Sequence, residues 1–274
     1  MSLLLALLTL SLPTHGDKPP SAEQYYAQAI RAMRDVPQPN YATYNVHVHT
    51  TGVGFFLTRG PNGRATINLP WGGSGDARFS AAYRKSDDVT ALKTAQGWGV
   101  IRDPLFDPTW NGINDWIRYG ITRRPDSATA QPSPTSDANG LPLIAAVRAM
   151  GVAFYRVSDA GAATCANGDP AHRVHLIAYS DPLDHPLTDA VIDTRTDRIC
   201  FLRLEMRQSV IAAGYNSTFE LNIADVNGES LVRNGAIVVI ARVAGIGVKS
   251  VKVRFAYDRF AFPISLDDGM FPKP

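Results

Sequence analysis

A mainly β protein built on one large curled antiparallel sheet, with few helices, is what the sequence predicts, and three observations carry that reading. From Tyr41 onward, apolar and polar residues alternate with period two in one run after another. Each run has one apolar and one polar face, the pattern of antiparallel strands with a wet side; strands of a parallel sheet read as continuous apolar runs. Asn-Gly pairs, which tolerate the positive φ of tight turns, fall between runs at Asn62-Gly63, Asn167-Gly168, Asn227-Gly228 and Asn234-Gly235.

Composition narrows the class further. At 274 residues the chain is long enough to bury a sizeable core unaided. Hydrophobic residues at 45% exclude a disordered chain, and two cysteines exclude a disulfide scaffold. Lys and Arg total 27 against 25 Asp and Glu, and the resulting charge of +2 argues against nucleic acid as a partner.

The N-terminus predicts export. Leu3 to Leu12 is a short apolar run followed by Pro13-Thr14-His15-Gly16, so residues 1–16 read as a signal peptide and residues 17–274 as a single domain. About ten apolar residues fall well short of the ~20 that span a bilayer, so no stable transmembrane anchor is expected. An oxidising compartment lets Cys165 and Cys200 form a disulfide. Cys165 precedes the Asn167-Gly168 turn and Cys200 follows the turn at Asp193 to Asp197, two turns at the same end of an antiparallel sheet.

Ser21-Ala22-Glu23-Gln24 matches a capping box, Tyr26, Ile30 and Met33 line one helical face, and Pro37 stops the helix. In the first strand Tyr44, Val46 and Val48 alternate with Asn45, His47 and His49. Gly72-Gly73-Ser74-Gly75 reads as a flexible loop, and strands are expected at Ala77 to Lys85 and Val89 to Val100, joined through Ser86-Asp87-Asp88. Asp107-Pro108 starts a helix, as N-cap and first-turn proline, that Gly120 ends. Pro125 to Gly140, rich in Pro, Ser and Ala, reads as a mobile surface loop. Later strands follow the alternation of Val174, Leu176 and Ala178, of Leu202, Leu204 and Met206, of Phe219, Leu221 and Ile223, and of Val251, Val253, Phe255 and Tyr257. Together they predict a meander.

Candidate chemistry is sparse. His47 and His49, two apart on a strand, point the same way, which is the spacing of a metal pair and resembles the opening strand of PHP-type and amidohydrolase enzymes. Those enzymes carry further His and carboxylate ligands, while here His172 and His175 fall on opposite faces of one strand and His185 sits in a Pro-rich turn. A polar strand face is the favoured reading, with no metal and no cofactor expected. Asp193 and Asp197 read as a hairpin turn that leaves both carboxylates in water, and Arg203, Arg207, Lys252 and Arg254 as solvated outer-face residues. The aromatic helix has two readings. Trp110, Ile113, Trp116 and Ile117 either complete the core, or form a lid over a greasy cavity in the curved sheet and touch its ligand.

The order and phrasing of the chain resemble exported bacterial proteins related to the outer-membrane lipoprotein carrier. The likeness rests on the helix Glu23 to Arg34 leading into Tyr41-Ala42-Thr43-Tyr44, on His175 to Tyr179, and on Asp181-Pro182-Leu183-Asp184-His185-Pro186-Leu187-Thr188-Asp189. It continues through Val191-Ile192-Asp193 to the closing run from Val251 to Phe262-Pro263. The resemblance implies a half-open barrel with helices over its mouth, a periplasmic location, no enzymatic activity, and a lipid, acyl chain or lipidated protein as partner. The expected function is therefore that of an exported binding protein. A structural envelope protein with a filled core and a metal-dependent hydrolase using His47 and His49 remain the alternatives.

Overall fold

The computed structural model describes residues 20–119, 150–180, 182, 184–210, 213–243 and 246–273. The expected signal peptide and the Pro125 to Gly140 loop lie outside the described residues. The chain starts with helix α1 (Ala22–Arg34), whose capping box forms as read: Ser21 Oγ accepts from Gln24 N at 3.2 Å and Gln24 Oε1 from Ser21 N at 2.9 Å. Tyr26, Ala29, Ile30 and Met33 are its buried face, and the Tyr26 hydroxyl donates to the Met150 carbonyl at 2.6 Å.

Thirteen strands follow: β1 (Tyr41–Val53), β2 (Phe56–Arg59), β3 (Ala65–Asn68), β4 (Trp71–Arg84), β5 (Val89–Thr94), β6 (Gly97–Ile101), β7 (Tyr155–Thr164), β8 (Pro170–Ala178), β9 (Leu187–Asp193), β10 (Ile199–Val210), β11 (Ala213–Val226), β12 (Glu229–Val243) and β13 (Ile246–Ala261). Helix α2 (Trp110–Tyr119) lies between β6 and β7 in the chain. Eleven strands form one sheet in the order β6-β5-β4-β1-β13-β12-β11-β10-β9-β8-β7, and β2 with β3 makes a separate hairpin. Every pairing in the large sheet is antiparallel. Its ends, β6 and β7, do not pair, so it is a curled half-barrel that stays open.

The expected meander holds from β7 to β13 and again from β4 to β6, but not across β1. That strand sits between β4 and β13, so the first strand of the chain pairs with the last. Alternation specifies which face of a strand is buried and carries no information on a partner some two hundred residues away.

Three other expectations change. Val89 to Val100 is two strands, because Thr94 caps a turn in which its Oγ1 accepts from Gln96 N at 3.2 Å and donates to the Gly97 carbonyl at 2.8 Å. Asn234-Gly235 lies inside β12, where a Cβ on Gly235 would stand 2.5 Å from both the Phe255 ring and the Glu220 carbonyl. The glycine is there for close approach and not for a turn. Gly72-Gly73-Ser74-Gly75 belongs to β4, where Gly72 and Gly73 adopt φ of 98° and 93° opposite Gly52 at 84°, a bulge that bends the β1-β4 ladder.

The concave face holds one continuous core with residues from both helices and the large sheet. Trp116 of α2 packs between Phe219 of β11 and Phe255 of β13, with ring centroids 5.0 and 6.1 Å away. Outside the barrel, the segment after β13 lays Leu266, Met270 and Phe271 over Ala82, Val89 and Ala91. At the far end Cys165 and Cys200 form the expected disulfide. Cys200 is the extra residue of a bulge, since Ile199 and Phe201 pair with Ile192 and Val191.

The bond closes a loop with a sequence separation of 35, for which chain-entropy arithmetic gives about 4 kcal/mol. Cys165→Ala with Cys200→Ala is expected to lower unfolding free energy by roughly 2–4 kcal/mol in urea melts; an unchanged midpoint disproves that role. Gly235→Ala is expected to destabilise by about 1–3 kcal/mol in the same melts; an unchanged midpoint would show that the Phe255 ring does not crowd this position.

Candidate functional site: an apolar chamber in the trough

The approach to α2 is held by buried polar groups. Tyr257 and Tyr44 point their hydroxyls from the sheet into the trough and donate to the Leu105 and Phe106 carbonyls at 2.6 and 2.7 Å. Asp103 Oδ1 accepts from Leu105 N at 2.9 Å, so residues 104–106 make a single tight turn. The expected N-cap Asp107 instead accepts from the Thr109 amide and hydroxyl, at 2.9 and 2.6 Å, and Thr109 Oγ1 accepts from Asn111 N. The helix therefore begins at Trp110, two residues later than Pro108. A Cβ on Gly112 would collide with the Asp107 carbonyl, so this fold-back needs glycine. Asn111 ties the first turn to the sheet, donating to Tyr83 Oη at 2.8 Å and Asp88 Oδ1 at 2.7 Å.

Asp107 is buried, and its carboxyl is pushed up to about 7. Burial is the main cause; the charge of Asp88 adds to it and that of Asp115 adds less, while bonds from Thr109 oppose the shift. Tyr44, Tyr83 and Tyr257 surround the same carboxyl, and burial raises all three hydroxyls.

Trp110, Ile113, Trp116 and Ile117 are all at most 1% exposed. Helix α2 thus fills the middle of the trough. Of the four, Trp116 alone also reaches a vacancy, a chamber of about 230 Å³ at one end of the concave face. Its walls are Val53 at the end of β1 and Phe55 just after it, Ile237 and Val239 of β12, and Val251 and Val253 of β13; Ile67, Leu69 and Trp71 close one side. Asp103 is its one ionisable lining group. Phe56, Leu69 and Trp71, which are 60%, 49% and 64% exposed, form an apolar surface on the hairpin and the strand start beside it.

The sequence pattern pointed to Trp116 but missed the remaining walls. Leu69-Pro70-Trp71 was a legible signal, an apolar run running into glycines with no polar alternation.

The histidines do not converge. His47 Nδ1 accepts from Arg78 Nε at 3.1 Å, and its Nε2 stands 3.1 Å from Asp258; His49 pairs with Asp76 at 2.8 Å. His172 pairs with Asp159 and His175 with Asp189, while His185 stacks on Phe154. Among the described residues no three His, Cys, Asp or Glu side chains gather as a metal set would. Asp193 and Asp197 flank the expected turn, but Asp193 is buried, because its Oδ1 accepts from Arg195 N at 2.7 Å. Arg203 lies beside Glu205 at 3.0 Å, and Arg207, Lys252 and Arg254 are exposed on the outer face. Among the described residues no helix is long and apolar enough to cross a membrane.

Comparison with solved structures gives matches of low sequence identity. One is a DUF1329 family protein from Desulfovibrio piger, 11% identical with a TM-score of 0.37, the match covering 92% of this chain and 97% of that one. A domain assigned to outer membrane lipoprotein sorting from Vibrio parahaemolyticus is 10% identical with a TM-score of 0.35, at the same coverage. A LolA superfamily protein from Nitrosomonas europaea is 12% identical with a TM-score of 0.29, again covering 92% and 97%. No family model matches the sequence, and no curated protein does.

The Asp107 carboxyl titrates from about 7 when folded, against an ordinary 3.8. Between those values the folded chain keeps a proton that the unfolded chain has released, so stability falls as pH rises across that window, by at most about 4 kcal/mol. Asp107→Asn is expected to flatten this fall in denaturant melts taken from pH 4 to 8. An equal slope in the variant would assign the pH dependence to another group.

Proposed function

We propose that the protein is an exported, non-enzymatic carrier that holds an acyl chain or similar apolar ligand in the chamber beside Trp116. The supporting observation is a cavity walled almost entirely by apolar side chains beside a buried helix. In this reading Trp116 touches the ligand, while Trp110, Ile113 and Ile117 anchor α2 in the sheet so that Trp116 presents a fixed floor. The disulfide and the apolar N-terminal run support export.

Magnitudes set the ligand's reach. At ~30 Å³ per water-sized group the chamber takes about eight such groups, and eight methylenes at ~0.8 kcal/mol give about 6 kcal/mol gross. A micromolar Kd needs about 8 kcal/mol. The chamber alone falls short, so a bound chain must extend onto further apolar surface, which exposed Phe56, Leu69 and Trp71 supply. The full burial of Trp110, Ile113 and Ile117 favours a second reading, a structural envelope protein with a filled core.

Titration of the full chain with a fluorescent fatty acid analogue separates the two. The carrier reading expects saturable binding, weakened about tenfold or more by Val239→Phe with Val251→Phe, which fill the chamber, at an unchanged melting temperature. No saturable binding, or an affinity indifferent to filling, leaves the structural reading.

A further inference from the structure

We infer that the chamber end of the half-barrel docks on a lipid bilayer whose surface carries anionic headgroups. The inference goes beyond the carrier reading, because such docking needs no ligand in the chamber.

Apolar surface gathers at that end. Antiparallel order brings the end of β1, the start of β4, the end of β12 and the start of β13 together with the end of β8 and the start of β7. Phe56, Leu69 and Trp71 are exposed there, and a bond of 2.9 Å from Gly54 N to the Pro70 carbonyl holds the hairpin base beside Trp71. Val243, 52% exposed, closes β12. On the β7-β8 side Phe154 and Tyr179 are exposed, joined by the bond from Tyr179 N to the Phe154 carbonyl. Among the described residues every exposed large hydrophobic side chain except Ile264 lies at this end. Such residues are ordinary when scattered singly, and their crowding at one end marks a contact surface.

Charge says what that surface meets. At the opposite end of the sheet arginines are matched by carboxylates: Arg84 by Asp87 and Asp268, Arg195 by Asp169 and Asp193, and Arg198 by Asp225. At the chamber end Arg207, Arg242 and Lys252 are exposed and form no ion pair among the described residues. Lys249 lies over the Trp71 ring at 5.0 Å. Against these cations stand exposed Asp184 and the chamber's Asp103. The net charge of +2 thus conceals a cationic excess around the exposed rings.

Tryptophan and tyrosine set among lysine and arginine is the composition of a membrane interface. The rings sit at headgroup depth, and each cation near an anionic surface strengthens binding about fivefold. A second copy of the same end would instead set like charges against one another. Leu69 and Trp71 line the chamber as well as the surface, so a docked chain turns the chamber rim toward the acyl layer.

Flotation of the full chain with vesicles of phosphatidylcholine, alone or mixed with phosphatidylglycerol, tests the docking. The mixed vesicles are expected to bind about tenfold tighter or more. Trp71 reports the contact, since Trp110 and Trp116 are buried. Its emission is expected to shift to the blue and to be quenched by brominated acyl chains, a change absent in Trp71→Phe. Arg242→Glu with Lys252→Glu, neither of which lines the chamber, is expected to weaken binding to mixed vesicles at least tenfold and to leave the fluorescent fatty acid's affinity unchanged. Partition that survives this double substitution, or that leaves Trp71 open to iodide, puts the contact elsewhere, the apolar N-terminal run included, and overturns the proposal. No flotation with either vesicle gives the patch to a protein partner, and dimers without vesicles that Trp71→Glu disperses give it to a second copy; both overturn it. Loss of fatty acid binding alone defeats the carrier reading and not the docking. Should the double variant not fold, the unaltered chain at about 0.5 M salt is expected to lose its preference for mixed vesicles through screening; full retention counts against the cations.

Discussion

Helix α2 lodged in the concave face of the sheet is the contact on which the rest of the structure depends. An open sheet of eleven antiparallel strands has one apolar face, and curling alone cannot cover that face, because the two ends never meet to close a barrel. Trp116 between Phe219 and Phe255 joins the centre of the sheet to the helix, and truncating so large a buried ring typically costs 3–5 kcal/mol. The edges are managed separately. Strand β6 is shielded by the Arg64–Val100 bridge and by Phe271, and β7 by packing against α1 and by a bulge near Gly161.

The helix is held by hydrogen bonds as much as by apolar contact. Tyr44, Tyr83 and Tyr257 reach in from three neighbouring strands, β1, β4 and β13, to fix Leu105, Phe106 and Asn111. Asp107 lies among them, so the same cluster that positions α2 also carries a buried carboxyl whose charge the interior disfavours. The helix is thus anchored through its N-terminal approach, and the anchor loosens as Asp107 ionises.

Local chemistry was legible in the sequence wherever a residue's role involves its immediate neighbours. The capping box at Ser21 and Gln24, the outward and inward sets of β1, and the cysteine pair all form as the residues indicate. What failed to read was long-range or sterically imposed. Gly235 follows an asparagine as hairpin glycines do, yet its reason is the Phe255 ring on the next strand. Gly72 and Gly73 look like a loose loop because nothing local shows that they bend a strand opposite Gly52. The four residues of α2 were identifiable as a buried stripe, but which of them borders a cavity depends on where the helix lies against the strands. That is a property of the assembled trough.

Those lengths account for the chamber. A ten-residue helix spans about 15 Å, while β11, β12 and β13, with 14, 15 and 16 residues, run to about 50 Å. The described helix is thus shorter than the strands it packs against. Beyond its end the apolar residues Ile237, Val239, Val251 and Val253 still point inward, because the period of two continues. Among the described residues the short β2-β3 hairpin and Trp71 meet them and bound the chamber. A middle packed by α2 and an apolar end that borders a cavity are thus both set, among the described residues, by how far helix and strands run along one another and not by the strand order alone.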